Sequence, residues 1–184
     1  MRDYKFVYYT IIYYSIIYYM KVPIKYLPNK LTKKDKQKIS KELLKSRKQY
    51  KKNIYITRKR VSSFKSNKSQ HIKNAEKIYN VKNLKINKEL EKKTGCSIKS
   101  LNKILKKGQG AYYSSGSRPN QTAHSWGYAR LASAITSGKS AAVDFNILKD
   151  GCKKNSKALK LAVKSKKKHG NGNRKVRKIT LKFK

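Results

Sequence analysis

Lys99, Asn102, Lys103 and Lys106 recur at intervals of three and four residues. On a helix this spacing sets their ammonium and amide groups, with the hydroxyl of Ser100, along one outward face. Ammonium groups neutralise phosphates, and hydroxyl and amide groups can read base edges, so the face has the chemistry of nucleic-acid contact. Lys107 extends the charge at the same helix end. A second cluster, Arg58-Lys59-Arg60, lies upstream, and two isolated arginines, Arg118 and Arg130, lie downstream. A guanidinium offers a two-pronged donor for phosphate or carboxylate. For Arg130 an internal pair with Asp144 is the competing expectation.

Other chemistries fail on spacing. His124, Ser125 and Asp144 are the residue types of a hydrolytic triad, but no nucleophile elbow or oxyanion motif accompanies them. Ser137-Gly138-Lys139-Ser140 ends like a phosphate-binding loop, yet Ser133 stands where its first glycine belongs. Asn120-Gln121-Thr122 is a glycosylation sequon with no other sign of secretion. Cys96 and Cys152 have no ligand-spaced histidine or cysteine, so they make no zinc site. They read as two small buried residues in a reducing compartment, with no support for a disulfide. The sequence therefore predicts no enzyme, no metal and no cofactor.

The elements that position the lysine face are legible. Asn87 caps a short helix with Leu90 inward, Thr94-Gly95 turns, and Ser97 caps a second helix. Ile98, Leu101, Ile104 and Leu105 form its apolar stripe, and Gly108 ends it. This grammar resembles a helix-turn-helix, although Glu91 replaces the small residue usual at that position. A plain α-hairpin with a solvated lysine face is the alternative.

Composition points the same way. The 184 residues carry 49 Lys and Arg against 8 Asp and Glu, a formal charge of +41. Such a charge opposes compaction unless a polyanion neutralises it, and DNA or RNA is the expected partner. Lysine is favoured by A/T-rich codons, which discounts part of this signal. From Gly108 to Leu148, however, the basic residues thin to Arg118, Arg130 and Lys139. This neutral window holds the sole tryptophan, Trp126. Tyr112 and Tyr113 open it and are expected to pack. Thr122 caps a helix that Gly138 closes, and Ser140 caps a further helix that Gly151 closes.

The flanks divide into a hydrophobic segment 1–20, a basic arm 21–86 and a basic tail 153–184, around a small domain at 87–152. Within the arm, Thr32 caps a helix carrying Ile39, Leu43 and Leu44, Ile54–Thr57 reads as a short strand, and 70–80 reads as a helix with His71 on the surface. In the tail Ile179, Leu181 and Phe183 alternate as in a strand. Segment 1–20 repeats Tyr-Tyr pairs every five residues. It reads as an over-extension upstream of a start at Met20, as a membrane or signal segment, or as a core strand.

The run KKGQGAYYSSGSRPNQTAHSWGYARLASAITSGKSAAVDFNILKDGC, with TGCSIKSLNKILKKG upstream, resembles an uncharacterised family of small basic proteins in large double-stranded DNA viruses and phages. The resemblance covers roughly 22–152. It implies a viral protein, carried in the virion or found in the nucleus or virus factory of an infected cell, and no known activity. The expected fold is mostly α: a small helical domain with a helix-turn-helix-like hairpin, flanked by basic helical or disordered arms. The expected function is nucleic-acid binding, genome-associated or packaging, through phosphate contacts. The alternatives are a virion component docking on capsid protein and a membrane-anchored basic protein using residues 1–20.

Overall fold

The structure, a computed structural model, describes residues 18–172 and 176–183. The readings of the first 17 residues lie outside this range. The fold is mostly α, as the periodicities predict. Five helices begin on a side chain that accepts from the backbone N–H three residues on: α1 (Lys33–Tyr50) on Thr32, α3 (Lys88–Thr94) on Asn87, α4 (Ile98–Ser115) on Ser97, α5 (Ala123–Ile135) on Thr122 and α8 (Lys157–His169) on Ser156. Each satisfies one of the N–H donors a helix start leaves orphaned. α2 (Gln70–Tyr79), α6 (Lys139–Val143) and α7 (Phe145–Gly151) complete the helices. β1 (Tyr18–Pro23) pairs antiparallel with β2 (Lys178–Phe183), with Met20 opposite Leu181 and Val22 opposite Ile179.

Two apolar clusters hold these elements. The larger gathers Tyr79, Leu90, Leu101, Ile104, Leu131, Ile135, Leu148, Ala158 and Ala162 from six helices. The smaller joins Met20, Val22, Tyr26, Leu27, Leu31, Ile39, Leu43 and Val61, with Trp126 and the inner face of β2 against it. The segments read as arm and tail thus enter both clusters. A thin stripe such as Ile39 and Leu43 suffices when α1 lies on α4 and under the ribbon.

Three local readings are corrected. α4 does not stop at Gly108 but continues to Ser115. Gly108 is a crossing point: a Cβ there would lie 2.7 Å from Gly127 Cα, so α4 and α5 touch backbone to backbone. The favourable α4–α5 packing overrides the local cost of two glycines in the helix. The predicted Ser140–Gly151 helix is two, capped at Gly138 and broken at Asp144, whose buried carboxylate is held by Arg130 and Lys107. Ile54–Thr57 forms no strand, because among the described residues no neighbouring strand is present to pair with it.

The cysteines are the largest correction. Cys96 and Cys152 form a disulfide, with Cα atoms 3.8 Å apart. They sit in the α3–α4 and α7–α8 junctions, which pair as one antiparallel bridge. Ser97 N–H donates to Gly151 O and Lys153 N–H to Gly95 O, each at 2.8 Å. The 56-residue separation conceals this contact from the sequence. Among the described residues no helix is long and apolar enough to cross a membrane.

Candidate nucleic-acid interface

The helix-turn-helix grammar forms locally. Gly95 adopts the left-handed conformation at φ 72° between α3 and α4. Glu91, out of place by the usual pattern, accepts from Ile98 N–H at 3.0 Å and helps to start α4. The tertiary setting is different from that of a groove-reading helix. α4 is enclosed by α1, α5 and α7. At its N-terminal turn Ser100 faces Gly151 so closely that a Cβ on that glycine would overlap it. Lys99, Lys103, Lys106 and Lys107 remain exposed as a narrow strip, with Asn102 half-buried at its edge.

The other sequence candidates separate into internal and external groups. Arg58 is buried. Its guanidinium lies 3.6 Å from the centre of the Tyr112 ring and donates to Tyr112 O, Ser46 Oγ and Ser117 Oγ. Burial pulls its pKa below the ordinary guanidinium value. Arg58 is therefore a bolt holding the arm to the end of α4 and cannot also hold a phosphate, which corrects the expectation from the sequence. Lys59 and Arg60, its neighbours, are exposed. Arg130 pairs with Asp144 through Nε and Nη2 at 2.7 and 2.8 Å, so the internal pair wins there. Lys107 Nζ also reaches Asp144, at 2.7 Å. Asp144 is thereby taken away from any triad, and Ser125 serves in the capping box of α5.

Arg118 remains exposed, and it borders a wide cleft. The cleft, of about 1000 Å3, opens between α5 and the loop leading into α2. Lys25, Lys65, Lys68, Lys73, Arg118 and Arg130 line it, together with Trp126, Tyr26 and Phe64, and no Asp or Glu does. Lys68 is tied to Glu76 at 2.9 Å. Lys65, Lys73 and Arg118 have no acidic partner among the described residues. His71, read as a surface residue, is exposed at the rim.

Local chemistry builds this cleft. Asn120 takes the left-handed conformation at φ 58°. It accepts from Val61 N–H at 2.8 Å and donates to Val61 O and Phe64 O. One amide thus ties the loop after Arg118 to the segment before α2, setting Arg118 and Phe64 on the same opening. Asp35 fixes that segment from the other side by accepting from the Ser63 hydroxyl and N–H, which hold its carboxyl below the usual range. Trp126 meets Tyr26 edge to face, with centroids 6.1 Å apart.

A shallower hollow of about 540 Å3 lies beside it, lined by Tyr50, Lys103, Lys106, Lys107 and Gly110. Ala111 lines both concavities, so the lysine strip of α4 runs on from the cleft. Tyr113 stacks on Tyr50 at 6.2 Å, while Tyr112 is fully buried, so both tyrosines pack within the protein. The cleft lysines and its use of Trp126 were missed from sequence. The available signal was the sole tryptophan lying in the least charged window, across from a serine-lysine loop.

No curated protein and no solved structure matches this chain. Residues 23–157, more than two thirds of the chain, match the model of a family described as "Family of unknown function (DUF5824)". The match includes both walls of the cleft, the lysine strip and both cysteines, and the chain belongs to that family.

Proposed function

We propose that this protein binds nucleic acid through phosphate contacts and acts as a genome-associated protein. The observation that carries the reading is the cleft: Lys65, Lys73 and Arg118, unpaired with any acid among the described residues, share one opening with Trp126 and Phe64, and no carboxylate lines it. Cations so gathered raise the local concentration of a polyanion and release its counterions on contact. The excess charge of +41 supplies a non-specific background over the remaining surface. By the resemblance noted above, the polyanion is a viral genome, met in the virion or in the infected cell.

The test is the affinity of the full chain for DNA across a salt series. The logarithm of the association constant should fall linearly with the logarithm of salt, by about 0.9 per phosphate neutralised on duplex. Lys65→Glu, Lys73→Glu and Arg118→Glu together should flatten that slope by about 2–3. An affinity indifferent to salt, or to the triple reversal, refutes the reading.

A further inference from the structure

Resting on that reading, we infer that the cleft takes a single-stranded segment of nucleic acid, with a base against Trp126 and the adjoining phosphates along Arg118, Lys65 and Lys73. Three observations carry this.

The first concerns the N-terminus of α4. A helix that reads a duplex projects its N-terminal residues into a major groove about 12 Å wide. The N-terminus of α4 is instead closed by the α7–α8 junction through the Ser97–Gly151 hydrogen bond, the Ser100–Gly151 contact and the neighbouring disulfide.

The second is the concavity. At about 1000 Å3 it stands at the upper end of the roughly 300–1,000 Å3 span of ligand pockets. That is room for unstacked nucleotides and not for a double helix.

The third is the composition of the walls. Single-strand sites combine a cationic groove that follows the backbone with aromatic faces on which bases stack. Trp126 and Phe64, both partly buried, line the same opening as Lys65, Lys73 and Arg118, with Tyr26 buried behind Trp126. The lysine strip joined to the cleft at Ala111 offers phosphate contacts for the nucleotides that follow.

The sole tryptophan makes the inference directly readable. With excitation at the red edge, fluorescence comes from Trp126 without the 14 tyrosines. The full chain is titrated with oligo(dT) of about 12 nucleotides, a length within the site sizes of such grooves. A mixed-sequence duplex of the same length and free dTMP are titrated alongside, with anisotropy of labelled strands as the second readout.

Oligo(dT) should quench Trp126 in step with the anisotropy rise and bind more tightly than the duplex at physiological salt. Free dTMP should quench only at far higher concentration. Trp126→Ala should weaken oligo(dT) binding by about 5- to 150-fold, the span of one stacked base, and leave duplex binding within about twofold. Trp126→Phe, which keeps a ring in the smaller cluster, should restore most of the lost affinity.

Equal affinity for single strand and duplex with unquenched Trp126 overturns the inference and leaves the nucleic-acid reading standing. Tight oligo(dT) binding without quenching places the strand elsewhere and also overturns it. Quenching by dTMP as effective as by oligo(dT) makes the cleft a mononucleotide site and overturns it. Failure to bind either strand form refutes both readings.

Discussion

Opening the Cys96–Cys152 bond should cost this protein a large part of its stability. The bond closes a loop spanning 56 positions of sequence. In the chain-entropy treatment a loop of that length removes about 14 cal/mol/K from the unfolded ensemble, or about 4 kcal/mol at 25 °C. Typical domains have about 5–15 kcal/mol in total. Two backbone hydrogen bonds beside the disulfide, Ser97 N–H to Gly151 O and Lys153 N–H to Gly95 O, tie the same two junctions. The comparison is urea unfolding of the oxidised chain, the reduced chain and Cys96→Ala/Cys152→Ala. Both opened forms should lose about 2–4 kcal/mol, and their m-values should rise because the open chain unfolds to a more exposed ensemble. Non-reducing peptide mapping fixes which form is in the cuvette. A loss below about 1 kcal/mol in both opened forms, with m unchanged, refutes the argument that this link constrains the unfolded chain.

Gly108→Ala sets local propensity against packing: alanine gains about 1 kcal/mol in a helix interior, but its Cβ would meet Gly127 Cα at 2.7 Å. Thermal unfolding should show a net loss of about 1–2 kcal/mol, whereas Gly110→Ala, with only the Tyr50 hydroxyl nearby at 3.4 Å, should not destabilise. Arg58→Met strands Tyr112 O, Ser46 Oγ and Ser117 Oγ and should cost about 3 kcal/mol, while DNA affinity per folded molecule stays within about twofold. Arg130→Met leaves buried Asp144 with Lys107 alone and should cost about 3 kcal/mol in denaturant unfolding, and adding Asp144→Asn should recover part of it. Asp35 is held below the ordinary carboxyl value by Ser63, so its contribution is present above about pH 4 and fades as pH falls through the lowered folded value. Ser63→Ala should raise the Asp35 pKa, read by NMR titration.

Much of the fold was legible because helix starts are local. Thr32, Asn87, Ser97 and Thr122 each satisfy an N–H three residues away, a contact that no distant element is needed to make. The alternation of Ile179, Leu181 and Phe183 likewise declared β2, although not its partner. Glycine misled where its role was tertiary. Gly95 permits a left-handed turn, as read, but Gly108 permits a close helix crossing, and both look alike in a sequence. Charge misled for a related reason: Arg58 and Lys59 are adjacent, yet one is buried under Tyr112 and the other is exposed.

By itself, the sequence determined a cationic, mostly helical chain with a neutral window of different purpose. Burial and distance decided the rest. Within that window small residues let α5 press against α4, and Arg130 is spent on Asp144. Only the tertiary structure joined Cys96 to Cys152, took Arg58 inside, closed the N-terminus of α4 and placed Trp126 among Lys65, Lys73 and Arg118. Each depends on residues far apart in the chain, 54 positions for Arg58 and Tyr112 and 56 for the two cysteines, a meeting that spacing along a chain does not encode and packing does.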